Sequence, residues 1–259
     1  MKAIFLGNCA NQTSTNEAVS IVIETDQKIL IDAGPGVVRQ LLRSGRKCTD
    51  IAHVFITHCH GDHTLGFPYL IWNHFYESLE GIKGPTEINV YTSPSLIDGL
   101  LTMLKFCYVI DNYPFKIKFH EISETGITEI KIGNTNIKTV PVIHTTKNFG
   151  LRFDWNNKTV SYSSDTLYSD EFTALAKNSN LLIHEGFATE SLFELSRKVK
   201  HGTGKDAGMC ATNSQSKELA LVHFFPPFQD KLNDIVEEAK KYFNGKVFYP
   251  NELLEYNVE

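Results

Sequence analysis

Short apolar runs separated by turn residues recur along the chain. "KAIFLG" (2–7), "AVSIVIET" (18–25) and "KILIDAG" (28–34) read as strands, the last two joined by a turn at Thr25–Gln27. "PGVVRQLLRSG" (35–45) has helical spacing, with Pro35 at its start and Gly45 at its end. "DIAHVFIT" (50–57) is apolar and β-branched, the mark of a buried strand. "LGFPYLIWNHFYESLEG" (65–81) predicts a helix with an aromatic face. "TEINVYT" (86–92) predicts a strand, and "SPSLIDGLLTMLKFCY" (93–108) a helix capped by Ser93. "ITEIKIGNTNIKTVPVIH" (127–144) predicts a hairpin turning at "GNTN", and "FGLRFDW" with "KTVSYSS" a second hairpin turning at "NNK". The remainder alternates: strand "NLLIHEG", helix "GKDAGMCATNS", strand "ELALVHFF", amphipathic helix "DKLNDIVEEAKKYF" and strand "KVFYP". Strand pairs mixed with strand–helix alternation, in two similar halves, predict an α/β chain with antiparallel pairs in its sheets.

Composition narrows the class. The 259 residues are 42% hydrophobic and 21% charged, as in globular domains, and show no repeat or long linker, so residues 1–259 are expected to form one domain. No stretch reaches the roughly 20 apolar residues of a membrane span. "MKAIFLGNCA" makes a poor signal peptide. The five cysteines are scattered and form no CxxC pair, which suggests reduced thiols and a cytoplasmic protein. A net charge of −5 argues against a broad nucleic-acid surface and leaves room for a small basic site.

The densest chemistry lies in "FITHCHGDHTLG" (55–66), where His58, His60, Asp62 and His63 follow directly on a strand. Imidazole nitrogen and carboxylate oxygen suit Zn, Mn or Fe. Past the strand end, alternate residues can converge, with Gly61 permitting the tight turn. His58 and His60 then share one side, and Asp62 and His63 another, a spacing that suits two neighbouring metals better than one. A polar loop with structural histidines would account for a single histidine, not for this cluster. Cys59, between two converging neighbours, is expected to point into the core.

Thr57 to His63 matches the T/S-H-x-H-x-D-H signature of the metallo-β-lactamase superfamily at every fixed position, and the chain resembles that superfamily. The resemblance implies a four-layer αββα sandwich with metals at the seam of two halves. It also implies three more strand-ending ligands, found in order as His144 in "VPVIH", Asp165 in "VSYSSD" and His223 in "LALVH". His58, His60 and His144 would hold one divalent ion. Asp62, His63 and His223 would hold the second. Asp165 would bridge the two, together with a hydroxide. Zinc is the expected metal, with Mn or Fe as alternatives. Asp32 in "IDAGPG" is left out of the ligand set as a supporting residue.

Within the superfamily, "FLGN", "VIHTTKNFGLRF", "SSDT", "LLIHEGF", "KHGTGKDAG" and "LVHFFP" are similar to segments of the ribonuclease Z branch. In that branch a glutamate and a histidine form a proton-transfer pair. Carried over, Glu185 orients His201, and His201 protonates the leaving oxygen. His184 would face away and be structural. Arg197, Lys198, Lys200 and Lys205 surround His201, and the helix after "GTG" offers an N-terminus, so an anion site is expected there. The branch's long arm, which grips transfer RNA, is absent: 20 residues separate His144 from Asp165. Its early proline and arginine are also missing, and its G-D-T is Ser164-Asp165-Thr166. Phe67, Trp72, Phe75 and Tyr76 are expected mainly in the core, with one or two lining a substrate pocket.

The expected function is hydrolysis of a phosphodiester, small, cyclic or at an RNA end, with Asp62, His201 and Glu185 as catalytic residues. A sulfate-ester or lactone hydrolase on the same metals is the alternative within enzymes. A catalytically silent interaction protein is the alternative outside them, and retention of all seven ligands argues against it. No membrane partner is expected, and the resemblance implies a homodimer.

Overall fold

The computed structural model describes residues 1–107 and 113–259. The first half contributes β1 (Lys2–Gly7), β2 (Ser20–Glu24), β3 (Lys28–Ile31), β4 (His53–Phe55), β5 (Glu87–Thr92) and β6 (Lys116–Glu121). The second contributes β7 (Thr128–Ile132), β8 (Thr135–Pro141), β9 (Phe149–Trp155), β10 (Lys158–Tyr162), β11 (Leu181–Glu185), β12 (Glu218–Val222) and β13 (Lys246–Phe248). β14 (Glu255–Asn257) returns to the outer edge of β1, so the sheet orders are β14-β1-β2-β3-β4-β5-β6 and β13-β12-β11-β10-β9-β8-β7. Each sheet opens with antiparallel neighbours and continues with three parallel pairings, β3 to β6 in one and β10 to β13 in the other.

Strand residues are apolar on both faces because both faces are covered. In β1, Ala3 and Phe5 point between the sheets while Ile4 and Leu6 face the helices; in β12, Ala220 and Val222 point inward and Leu219 and Leu221 outward. The inter-sheet core holds Phe55, which stacks on Tyr91 at 4.5 Å and meets Phe153 edge-on at 6.2 Å. Helices α1 (Val37–Arg43), α2 (Gly61–Thr64), α3 (Phe67–Leu79) and α4 (Pro94–Cys107) belong to the first half, and α1, α3 and α4 cover its sheet. Of α5 (Asp170–Leu175), α6 (Phe193–Val199), α7 (Gly204–Asn213) and α8 (Leu232–Lys240) in the second half, α5, α7 and α8 cover the other sheet. The result is the expected four-layer αββα sandwich.

Asn156 and Asn157 turn the β9–β10 hairpin, both at positive φ (48° and 59°), the conformation a two-residue hairpin loop requires. The β6 and β14 strands and the α5 and α6 helices go beyond the expectation; β6 and β14 are edge strands, where one-sided burial weakens the apolar pattern. Tyr108, the last residue of the helix expected over 93–108, lies outside the described residues.

Candidate metal centre

Strands β4, β8, β10, β11 and β12 deliver their carboxyl ends to one seam, the usual place for a site in an open α/β sheet. His58 follows β4 and is fully buried; His60 precedes α2, and Asp62 and His63 lie in that helix. The loop after β3 packs tightly on α2. Gly34 approaches so closely that a Cβ there would stand 2.1 Å from the Asp62 carbonyl oxygen, and Ala33 N–H donates to the His63 carbonyl at 2.8 Å. The second half supplies His144 after β8, Asp165 after β10, Glu185 at the end of β11 and His223 directly after β12.

Asp165 is the hub. Its Oδ2 lies 3.1 Å from His223 Nε2, 3.3 Å from His63 Nε2, 3.5 Å from His58 Nε2, 3.9 Å from His144 Nε2 and 3.9 Å from His201 Nδ1. Both of its carboxylate oxygens are buried and without a hydrogen bond. The imidazoles also crowd one another: His60 Nδ1 is 3.1 Å from His58 Nε2 and 3.2 Å from His144 Nε2, and His63 Nε2 is 3.3 Å from His223 Nε2. Three nitrogens around one point cannot all donate to each other. Lone pairs converging on a buried carboxylate are the donor set of a cation. Two groups could hold one ion each, His58, His60, His144 and Asp165, and Asp62, His63, Asp165 and His223. A third combination joins Asp165, Glu185, His201 and His223.

The opposite ring nitrogens are held by partners that point Nε2 inward. His63 Nδ1–H donates to Asp32 at 2.8 Å, and His144 Nδ1–H donates to the Lys200 carbonyl at 3.0 Å. His58 Nδ1 sits 3.1 Å from Thr57 Oγ1. Asp32 also accepts from Thr57 N–H at 2.8 Å and from its hydroxyl at 3.0 Å. Asp32, Ser164 and His223 all adopt left-handed backbone (φ 57°, 54° and 61°), a conformation that non-glycine residues rarely take and that clusters at functional sites. Ser164 thus keeps the backbone that suits the glycine of a G-D-T segment, and its hydroxyl donates toward Asn148 Oδ1 at 2.9 Å.

Charge and burial act in opposition here. Burial alone would push the Asp165 carboxyl up, but His223 and His63 outweigh it and hold the group well below the carboxylate range. Asp62 is likewise raised by burial and brought far down by hydrogen bonds from His223 and His63. Glu185 goes the other way: burial and the neighbouring Asp165 push it well up. Burial lowers His58 well below the ordinary imidazole range and lowers His144 to about 4, so both favour the neutral form that donates a lone pair.

His201 and Glu185 meet at the rim. His201 Nδ1–H donates to Glu185 Oε2 at 2.8 Å, and Thr166 N–H donates to the other carboxylate oxygen. Phe187 stacks on the His201 ring at 4.4 Å and 9°, fixing its plane. Burial lowers the His201 pKa. His184 is buried on the other side of the strand, edge-on to Phe172, as expected.

Three expectations are corrected. Cys59 is exposed rather than in the core: beyond the end of β4, the side away from His58 and His60 is solvent. Three of the four cations expected at an anion site are engaged with the chain itself. Arg197 pairs with Asp206 at 3.2 Å, Lys205 with Glu190 at 3.5 Å, and Lys200 Nζ donates to the His144 carbonyl at 3.1 Å. The α7 N-terminus is filled by its own chain, with Thr203 and Asp206 in a reciprocal cap and Lys205 N–H donating to Glu238 at 3.1 Å. Finally, of the α3 aromatics Phe67 is buried and Phe75 packs against the core as expected, but Tyr76 is 52% exposed and none of them lines the cleft beside the site. The supporting roles of Phe187 and the Lys200 carbonyl carry no signal in sequence, since each depends on contacts between distant segments.

Fold and site define a metal-dependent hydrolase of the metallo-β-lactamase fold, in its ribonuclease Z-like branch. The chain belongs to the family described as Anti-Pycsar protein Apyc1, whose model matches residues 1–203. It is 26% identical to a ribonuclease Z of Ignicoccus hospitalis, with 83% of each chain covered, and 25% identical to one of Picrophilus torridus, covering 100% of this chain and 96% of that one. Among solved structures it is similar to the metallo-β-lactamase fold protein YhfI of Bacillus subtilis (TM-score 0.85, 20% identity, 98% of each chain). It is also similar to the short form of human tRNase Z (TM-score 0.81, 21% identity, 100% of each chain).

Proposed function

We propose that the chain is a phosphodiesterase that works with two divalent ions, zinc foremost, and prefers small or cyclic phosphodiesters to long RNA. His58, His60 and His144 would hold one ion, Asp62, His63 and His223 the other, with Asp165 shared. The observation that carries this reading is the single Asp165 oxygen within 4 Å of five imidazoles and without a hydrogen bond. Bound ions supply Lewis acidity, neutralising charge on the ester oxygens and bringing the pKa of water toward neutral.

The protein's own residues do the rest. The Asp62 side chain is 19% exposed, against 1% for Asp165, so it is the cluster carboxylate that water can reach and orient on. Glu185 holds Nδ1–H of His201, which turns Nε2 toward the rim to protonate the leaving oxygen. The ribonuclease Z names of the relatives support a phosphodiester substrate. A preference for small esters is supported by the plain β9–β10 hairpin, the net charge of −5 and the paired lysines and arginine.

Residues 1–259 act as one domain in this reading, the two sheets sharing one core. The five cysteines are all free, which supports a cytoplasmic setting, and no helix among the described residues is long and apolar enough to cross a membrane. Tyr69, Tyr76 and Leu79 stand 53%, 52% and 67% exposed along α3, which supports a homodimer, testable by light scattering.

The test of function is turnover of bis(p-nitrophenyl) phosphate by zinc- and manganese-loaded protein, beside p-nitrophenyl sulfate and a lactone. Diester turnover lost in Asp62→Ala is expected. Turnover of the sulfate or the lactone alone would replace the phosphodiesterase reading with one of those hydrolases. None on any substrate with metals bound would favour a silent interaction protein.

A further inference from the structure

A line of buried polar side chains crosses from one half of the molecule to the other beside the ligand groups. Thr57, just past β4, places its Oγ1 3.1 Å from His58 Nδ1 and 3.0 Å from Asp32 Oδ2. The same Asp32 oxygen accepts from His63 Nδ1–H at 2.8 Å. His58 belongs to one ligand group and His63 to the other, so a single hydroxyl supports both. From the second half, Ser164 Oγ reaches that hydroxyl at 3.0 Å. Asn148 Oδ1 stands 2.9 Å from Ser164 Oγ, and Asn148 Nδ2 donates to the Asp165 carbonyl at 2.8 Å. Asp32, Thr57, Asn148 and Ser164 are all buried.

Proton counting orders this chain. The Asp32 carboxylate accepts and does not donate, so the Thr57 hydroxyl proton goes to it. With His58 Nε2 aimed at the cluster, Nδ1–H donates to one Thr57 lone pair. The other lone pair is left for Ser164, whose single proton is shared between Thr57 Oγ1 and Asn148 Oδ1.

Serine is a costly choice at this position. Its backbone is left-handed (φ 54°), a shape glycine takes freely and an L side chain resists. It also buries a hydroxyl that water would otherwise solvate. Glycine would avoid both costs, and what serine adds is the bridge to Thr57.

Building on the two-ion reading, we infer that Ser164 is a positioning residue that couples the two ion sites across the seam. An ion on His58 fixes Nδ1–H on Thr57. Thr57, pinned by Ser164, holds Asp32, and Asp32 sets the His63 ring for the second ion. The strand end that carries Ser164 also carries the shared Asp165, so the two halves order together.

The test is competition for zinc between the loaded protein and a chromophoric chelator, read as ions released per chain. The wild type is expected to release two ions in one cooperative step. Ser164→Gly, which removes the hydroxyl and the backbone cost together, should release them in two steps. Its weaker site should lose about tenfold in affinity, the low end for a group that supports ligands without touching the metal. Ser164→Ala, which keeps the backbone cost, should behave as Ser164→Gly does. Adding Ser164→Ala to Thr57→Val should change nothing further, since the bridge is already broken. Independent release of two ions by the wild type, wild-type release by Ser164→Gly, or additive losses in the double variant would overturn the inference and leave the two-ion reading standing. One ion per wild-type chain would overturn both.

Discussion

His201 Nδ1 lies 2.8 Å from Glu185 Oε2, and the same carboxylate oxygen is 3.8 Å from His223 Nδ1. The buried glutamate therefore ties the rim histidine to the histidine–aspartate cluster. Removing a general acid typically costs ~10²–10⁴ in rate. His201→Ala is expected to lower kcat by about 10² on a diester with an alkoxide leaving group, and by less with p-nitrophenolate, which departs without a proton. Glu185→Gln, which keeps the shape and replaces the carboxyl partner of His201 with an amide, should show the same leaving-group dependence in weaker form. Equal losses on both esters would leave His201 a purely structural role.

Asp165 sets the consequence of metal removal. A buried carboxylate among imidazoles has no hydrogen bond to hold it, so bound cations should contribute to folding. A ligand at 1,000 times its Kd adds about 4 kcal/mol of stability. Chelation is expected to abolish turnover and to lower the Tm by several degrees, both restored by zinc. Asp165→Asn should show no zinc-dependent gain in Tm, with metal content by mass spectrometry as the parallel reading.

Asp32 lies outside the ligand sets yet accepts from His63 and twice from Thr57. Losing such a supporting partner typically costs about 10–100-fold in metal affinity. Asp32→Asn is expected to weaken zinc binding within that range in a chelator competition, with the fold intact by circular dichroism. Unchanged affinity would refute the supporting role.

His74 offers a pH test away from the metals. Buried under α3 beside Phe115, its imidazole is pushed down to about 4 by burial, which Glu77 offsets only in part. The unfolded chain binds that proton near pH 6.5 and the folded chain only near 4, so stability is complete above about 6.5 and falls on acidification, by up to about 1.4 kcal/mol per pH unit. Below about 4 this contribution levels off. His74→Phe should flatten the drop in urea midpoint between pH 7 and pH 5 relative to wild type. An identical drop in both proteins would assign the acid sensitivity elsewhere.

Much of this protein is local and therefore legible in its sequence. A His-x-His-x-Asp-His run after an apolar strand carries its own geometry, because strand alternation and a one-turn helix decide which side chains converge. His144, Asp165 and His223 were legible only through the family resemblance, which implies a ligand after each of three later strands; a strand-ending histidine alone carries no such signal. Edge strands β6 and β14 were less legible, since one-sided burial leaves a weak pattern.

What only the tertiary structure decided depends on segments far apart in the chain. The Lys200 carbonyl reaches His144, and Asp32 reaches His63; hydrogen bonds of that span have no periodicity to announce them. The same holds for the cations near His201. Their charge was plain in the sequence, but Asp206, Glu190 and Glu238 arrive through folding and occupy the positions an anion would have taken. Cys59 turned to solvent for a similar reason: alternation says which residues share a side, and only packing says which side is the core.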